Sequence, residues 1–180
     1  MEIPIASLEA LLETPEPAAL GPSPRAGRHA IPTLEGALEP VFAAAKFTSQ
    51  KQTLIRALIF LWHDHLDEAH TLSQEVPNSD GSFIHGLMHR REPDYGNAKY
   101  WFHRVGPHPA FKSIAQLASA IPAPGSERAL LERFCSNGKW DSFALVDCCQ
   151  EYCGSSSPAE NFLKRIQKTE FRGLLAHLAE

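Results

Sequence analysis

The sequence lacks the local signatures by which many enzyme classes announce themselves. It has no nucleophile elbow, phosphate loop, dinucleotide fingerprint or Ser/Cys triad pattern, so reactions built on those devices are not expected. Runs of alternating β-branched residues are also missing, which excludes a sheet-based fold. The longest apolar run, Ala57 to Trp62, falls far short of the roughly 20 residues of a membrane span. The opening Met-Glu-Ile-Pro-Ile has no basic stretch leading into an apolar core, so a cytoplasmic protein with no membrane partner is expected. None of the four cysteines (Cys135, Cys148, Cys149, Cys153) forms a repeated Cys-x-x-Cys pair, and reduced, partly buried thiols are expected rather than a disulfide frame or a zinc site.

A broad positive face is absent as well. The net charge is −4, and nucleic acid is not an expected partner. The charge is unevenly spread, however: Arg90, Arg91, Lys99, Arg104 and Lys112 face only Glu92 and Asp94 between His85 and Lys112. A basic island in an acidic chain suits a small anionic ligand.

Of what is present, helical signals dominate. The N-terminal part, residues 1–32, reads as a short helix over Ser7 to Glu13 followed by a strap rich in Pro, Gly, Ala and Ser from Thr14 to Pro32, extended or mobile. Arg25, Arg28 and His29 ride on it and could close over a site. Residues 33–180 read as a single all-helical domain. A helix is expected from Thr33 to about Lys46, interrupted or bent near Gly36 and Pro40, then one capped by Thr48 or Ser49 whose apolar run to Trp62 marks it as central. Either that helix continues through His70, or it turns at Asp64 to Leu66 and a new one opens at Asp67. Val76 to Gly81 is a turn, with Asp80 or Ser82 capping the helix that Pro93 ends. Asp94 caps the next, to about Val105. Helices follow from about Phe111 to Ala120, from Ser126 to about Cys135, from Trp140 or Asp141 to Cys153, and from the capping box Ser157-Pro158-Ala159-Glu160 to the C-terminus. The fold class is all-α, an irregular bundle of about eight or nine helices.

Chemically capable side chains gather between Trp62 and Pro109, which holds seven of the nine histidines. His63, Asp67 and His70, together with His85 and His89, form a candidate site for a divalent metal such as Zn, Fe, Mn or Ni, because imidazoles at i and i+4 can present nitrogens to one ion. The run His85-Gly86-Leu87-Met88-His89 lacks the glutamate of a zincin helix. Without metal, the same block can form a pocket for a small anionic or sugar-like ligand. Arg90 or Arg91 would grip an acid group, Lys99 would add charge, and Trp62, Tyr100 and Trp101 would provide flat walls. His63 or His89, oriented by Asp67 or Glu92, would be the general acid or base.

The stretch Gly86 to Val105 resembles a tetratricopeptide or Sel1-like helical hairpin, with Gly86 and Ala98 twelve positions apart and Phe102 and Val105 at the following apolar positions. Ala57 and Ala69 repeat the spacing 29 residues earlier, and Asn137 to Ala144 echo it more weakly. The resemblance implies antiparallel helical hairpins and, as an alternative function, a non-catalytic groove for a protein or peptide. The wider block Trp62 to Phe111 resembles part of an uncharacterised bacterial family, which implies no activity.

Overall fold

The structure is a computed structural model that describes residues 2–180, with side chains from Ile5 onward. The expected all-α bundle forms, with ten helices among the described residues. They are α1 (Glu2–Ala10), α2 (Ile31–Ala45), α3 (Ser49–Trp62), α4 (Leu66–Gln74), α5 (Ser79–Arg91), α6 (Tyr95–Val105), α7 (Ala110–Ser119), α8 (Ser126–Phe134), α9 (Ser142–Tyr152) and α10 (Pro158–Ala179). A small hairpin of β1 (Cys135–Ser136) and β2 (Lys139–Trp140) joins α8 to α9. Its turn, Asn137-Gly138, has positive φ at both residues (51° and 71°), the conformation that an Asn-Gly pair tolerates in a two-residue loop. No described helix is long and apolar enough to cross a membrane.

Local chemistry sets the helix ends. Thr48, Asp94, Asp141 and Ser157 each accept a backbone N–H from the first turn of the helix they precede, contacts that typically contribute about 1 kcal/mol apiece. The cap of α5 is Asn78, whose side chain accepts from Gly81 N at 2.8 Å, rather than Asp80 or Ser82. Asp80 is therefore free to act elsewhere. α2 runs through Gly36 and Pro40 as one element.

The central helix breaks after Trp62, and Asp64 is the reason. His65 N donates to Phe60 O and Asp64 N to Leu61 O, the paired bonds that close a helix through a left-handed residue. That residue is normally glycine. Here it is Asp64 at φ 66°, a conformation costing an L-residue roughly 1–2 kcal/mol. Its buried carboxylate compensates by accepting Arg25 Nη1 at 2.6 Å and Arg91 Nη2 at 2.7 Å, both on Oδ1.

The core lies between α3, buried from Ala57 to Trp62, and α10, which contributes Phe162, Ile166, Phe171, Leu174, Leu175 and Leu178. Trp62 packs on Phe171 with ring centres 5.3 Å apart. The N-terminal strap closes over this core. Ala18 and Leu20 are buried, Gln167 donates to the carbonyls of Ala18 and Ala19, and Arg91 donates to those of Ala19, Gly21 and Leu61. Backbone carbonyls that a Pro-rich segment cannot pair within itself thus find donors in α5 and α10. All four cysteines are free, and burial pushes the Cys148 and Cys149 thiols up to about 11 and about 12.

Candidate metal centre

α4, α5 and α6 build one cluster. His85 and His89, one turn apart on α5, stack with ring centres 5.0 Å apart. His70 reaches them edge-on from α4, at 4.6 Å and 5.3 Å. From α6, the Trp101 indole lies flat on His85 at 3.9 Å. Gly86 eases the close packing of α5 on α6, since a Cβ there would press on the Phe102 ring at 3.1 Å. One nitrogen from each of His70, His85 and His89 lies within 4.8 Å of the others. A tetrahedral centre with metal–nitrogen bonds of about 2.0–2.1 Å brings its nitrogens to roughly 3.4 Å of one another, within reach of small ring rotations.

Hydrogen bonding and burial set which nitrogen of each ring a metal could take. His89 Nδ1 lies 3.0 Å from Glu92 Oε2, so Nδ1 carries the proton, and the Nε2 lone pair accepts Asn97 Nδ2 at 3.1 Å, a side-chain contact that a metal on Nε2 would displace. A carboxylate behind a ligating imidazole fixes its tautomer and raises its basicity. His85 Nδ1 is buried without a hydrogen-bond partner among the described residues, an unusual cost for a polar atom inside a protein. Burial pushes His85 down to about 3, helped by His70 and His89, and lowers His89 against the pull of Glu92. Both rings are neutral at pH 7, as metal ligands must be.

The remaining residues proposed from sequence lie elsewhere. His63 is fully buried under the strap: its Nε2 donates to Leu11 O at 2.8 Å and its Nδ1 accepts His29 N at 3.0 Å. Both nitrogens are engaged, so it offers none to a metal or a substrate. Asp67 is exposed on the first turn of α4 and does not join the three histidines, and the break at Asp64 removes the continuous helix on which it would have shared a face with His63. Arg90 is wholly buried against Glu170 at 2.5 Å, and Arg91 against Asp64 and the strap. Neither guanidinium is presented to an anionic ligand. Lys99 pairs with Asp147 at 2.5 Å, Trp62 is core, and Tyr100 is 54% exposed. Of that set, the structure brings together His70, His85, His89, Glu92 and Trp101.

Sequence reasoning missed Asn97 and a second group. Asp80 Oδ1 accepts His108 Nε2 at 2.9 Å and His177 Nε2 at 3.1 Å, and the His108 bond first of all holds the Asp80 carboxyl below its usual range. These three residues come from α5, the loop before α7, and the end of α10, so no spacing could reveal them. They resemble a two-histidine, one-carboxylate metal site, but His108 argues against it. Its Nδ1 accepts Ala110 N at 3.2 Å, which places the imidazole proton on Nε2, where a ligand would need a lone pair. This group is a structural tie between α5, α7 and α10.

The His63 contacts give a pH prediction. Burial pushes this ring down to about 4, from an ordinary value near 6.5, with His29, Arg25 and His65 adding to the effect. The folded state therefore resists a proton that the unfolded chain takes up. Stability is fully present above about pH 6.5 and falls as pH drops towards 4. Urea midpoints at pH 7, 5.5 and 4.5 should decline in that order, with a shallower decline in His63→Gln; identical slopes in the two proteins would remove His63 as the cause.

No family model, no curated protein and no solved structure matches the chain.

Proposed function

We propose that the protein binds a divalent metal ion through His70, His85 and His89, zinc in the first place with iron, manganese and nickel as alternatives, and uses it on a small polar substrate. The observation that carries this reading is the convergence of three imidazoles, one pre-oriented by Glu92 and one with a buried nitrogen lacking any partner among the described residues. Three imidazole donors leave a position open for water or substrate, the arrangement of catalytic rather than structural zinc sites. A bound metal would supply Lewis acidity and a nucleophilic water near neutral pH. It would also supply the positive charge for an anionic ligand that Arg90 and Arg91, both buried in ion pairs, do not offer. Trp101 flanks the site by stacking on His85, and Glu92, half exposed, would hold the His89 Nδ1 proton while Nε2 binds the ion.

The test is metal content and affinity in protein purified without a histidine tag. About one equivalent of zinc is expected in the parent, with loss in His70→Ala and His89→Gln. Glu92→Gln should weaken binding about 10–100-fold while leaving the ligands in place. Parent-like affinity in both histidine variants, with unchanged melting temperatures, would sink the proposal.

A further inference from the structure

We infer that the cleft between the end of α6, α7, the β1–β2 hairpin and the start of α9 is a binding site for a small aromatic anion, a carboxylate or phosphate carried on a flat ring. This cleft encloses about 530 Å³. It is separate from the histidine cluster: Phe102 and His103 line it, whereas the neighbouring Trp101 stacks on His85.

Its chemistry is divided between flat walls and a positive end. Phe111, Phe134 and Trp140 form the walls, the last two packed edge to face at 5.8 Å. Phe143, 41% exposed, stands at the rim, a position that a bound ring would cover. Lys139 and His103 are exposed on the lining and form no ion pair among the described residues. Arg133 joins them, with Nη1 engaged by Glu151 at 2.8 Å and the rest of its fork free.

The decisive residue is Ser142, the first of α9. Only 4% of it is exposed, it lines the cleft, and its Oγ has no hydrogen-bond partner among the described residues. A buried hydroxyl without a partner is costly, and a ligand oxygen in the cleft would satisfy it. The helix start adds to this. Asp141 is the one acid on the lining, and its carboxylate is engaged by Ala144 N at 3.0 Å. The preceding N–H groups of Ser142 and Phe143 make no backbone hydrogen bond among the described residues. The Ser142 hydroxyl and two amides thus sit at the positive end of an eleven-residue helix dipole, on a lining that also carries Lys139. An apolar ligand would leave these donors bare, and a bare inorganic anion would leave the aromatic walls uncovered.

Calorimetric titration with phenyl phosphate and benzoate tests the inference, with phenol and inorganic phosphate as the two half-ligands. At least one aromatic anion is expected to bind at one site, with each half-ligand about tenfold weaker or worse. Lys139→Glu, a change at an exposed residue, should weaken binding about tenfold, and Ser142→Ala should weaken it with a melting temperature no lower than the parent's, since the hydroxyl removed has no partner among the described residues. His70→Ala should leave binding unchanged, which keeps the result independent of the metal proposal. Absence of saturable binding by both aromatic anions, or binding indifferent to both cleft substitutions, overturns the inference.

Discussion

Asp64→Asn is expected to lower the stability of the protein by about 3–5 kcal/mol, the range for removing one partner of a buried ion pair. Asparagine keeps the size of the side chain and tolerates the left-handed backbone that residue 64 adopts, so the substitution isolates the charge. Two guanidinium groups lose their counter-charge at once. Arg91 is completely buried and Arg25 is 6% exposed in its side chain, so neither can recover full hydration while the strap stays in place. Arg25 is also tied to the strap itself, through Glu16 O and Thr14 Oγ1. The least costly escape is for the strap to lift, hydrating Arg25 and exposing His63. Chemical unfolding and limited trypsin digestion read the two effects together: a lower midpoint, and faster cleavage at Arg25. A variant with the parent's midpoint and cleavage rate would show that the Asp64 charge is not what holds the strap down.

Arg90 and Glu170 allow an equally large effect with a built-in control. Their side chains are fully buried and 2.5 Å apart, with the Trp140 indole N–H also directed to the Glu170 carboxylate, yet Arg90 Nε and Nη1 have no hydrogen-bond partner among the described residues. Burial pushes the Glu170 carboxyl up while the Arg90 guanidinium pulls it down, and Glu170 in turn holds Arg90 firmly charged. Glu170→Leu should therefore cost about 3–5 kcal/mol, because a stranded guanidinium cannot shed its proton. Arg90→Met should cost less, because a stranded carboxyl can take one up. In Arg90→Met the Glu170 carboxyl is raised above its unfolded value, so this variant should be most stable in acid and lose stability as pH climbs past the ordinary carboxylate range. The double variant Arg90→Met, Glu170→Leu should regain most of the loss, since an incompletely bonded pair contributes little net stability over well-packed apolar groups. A double-mutant cycle in urea measures this. Additive single and double effects would mean that the two groups do not act as a pair.

Much of the architecture was legible from the chain because it rests on local chemistry. Caps at Thr48, Asp94, Asp141 and Ser157, the stop at Pro93 and the apolar run of α3 each depend on neighbours a few residues away. The pairing of His85 with His89 is of the same kind, since one helical turn brings them together whatever the rest of the protein does. Even the break at Asp64 stood among the alternatives, although sequence could not choose between them. That choice depends on Arg25 and Arg91, 39 and 27 residues away, whose charges make a left-handed aspartate tolerable.

What a charged or polar side chain does was decided only by the tertiary structure. Arg90 and Arg91 are adjacent and have the same chemistry as a ligand-gripping pair, but burial assigns one to Glu170 and the other to the strap. His63, His85 and His108 are equally capable imidazoles in the sequence. His63 has both nitrogens engaged by main-chain groups of Leu11 and His29, His108 has its tautomer fixed by Ala110 N, and His85 retains a buried nitrogen with no partner among the described residues. Sequence thus determined where the helices lie and that imidazoles crowd one block of the chain. Only packing between distant segments, by choosing which polar atoms are satisfied and which are left open, separated the residues that hold the fold from those free to bind.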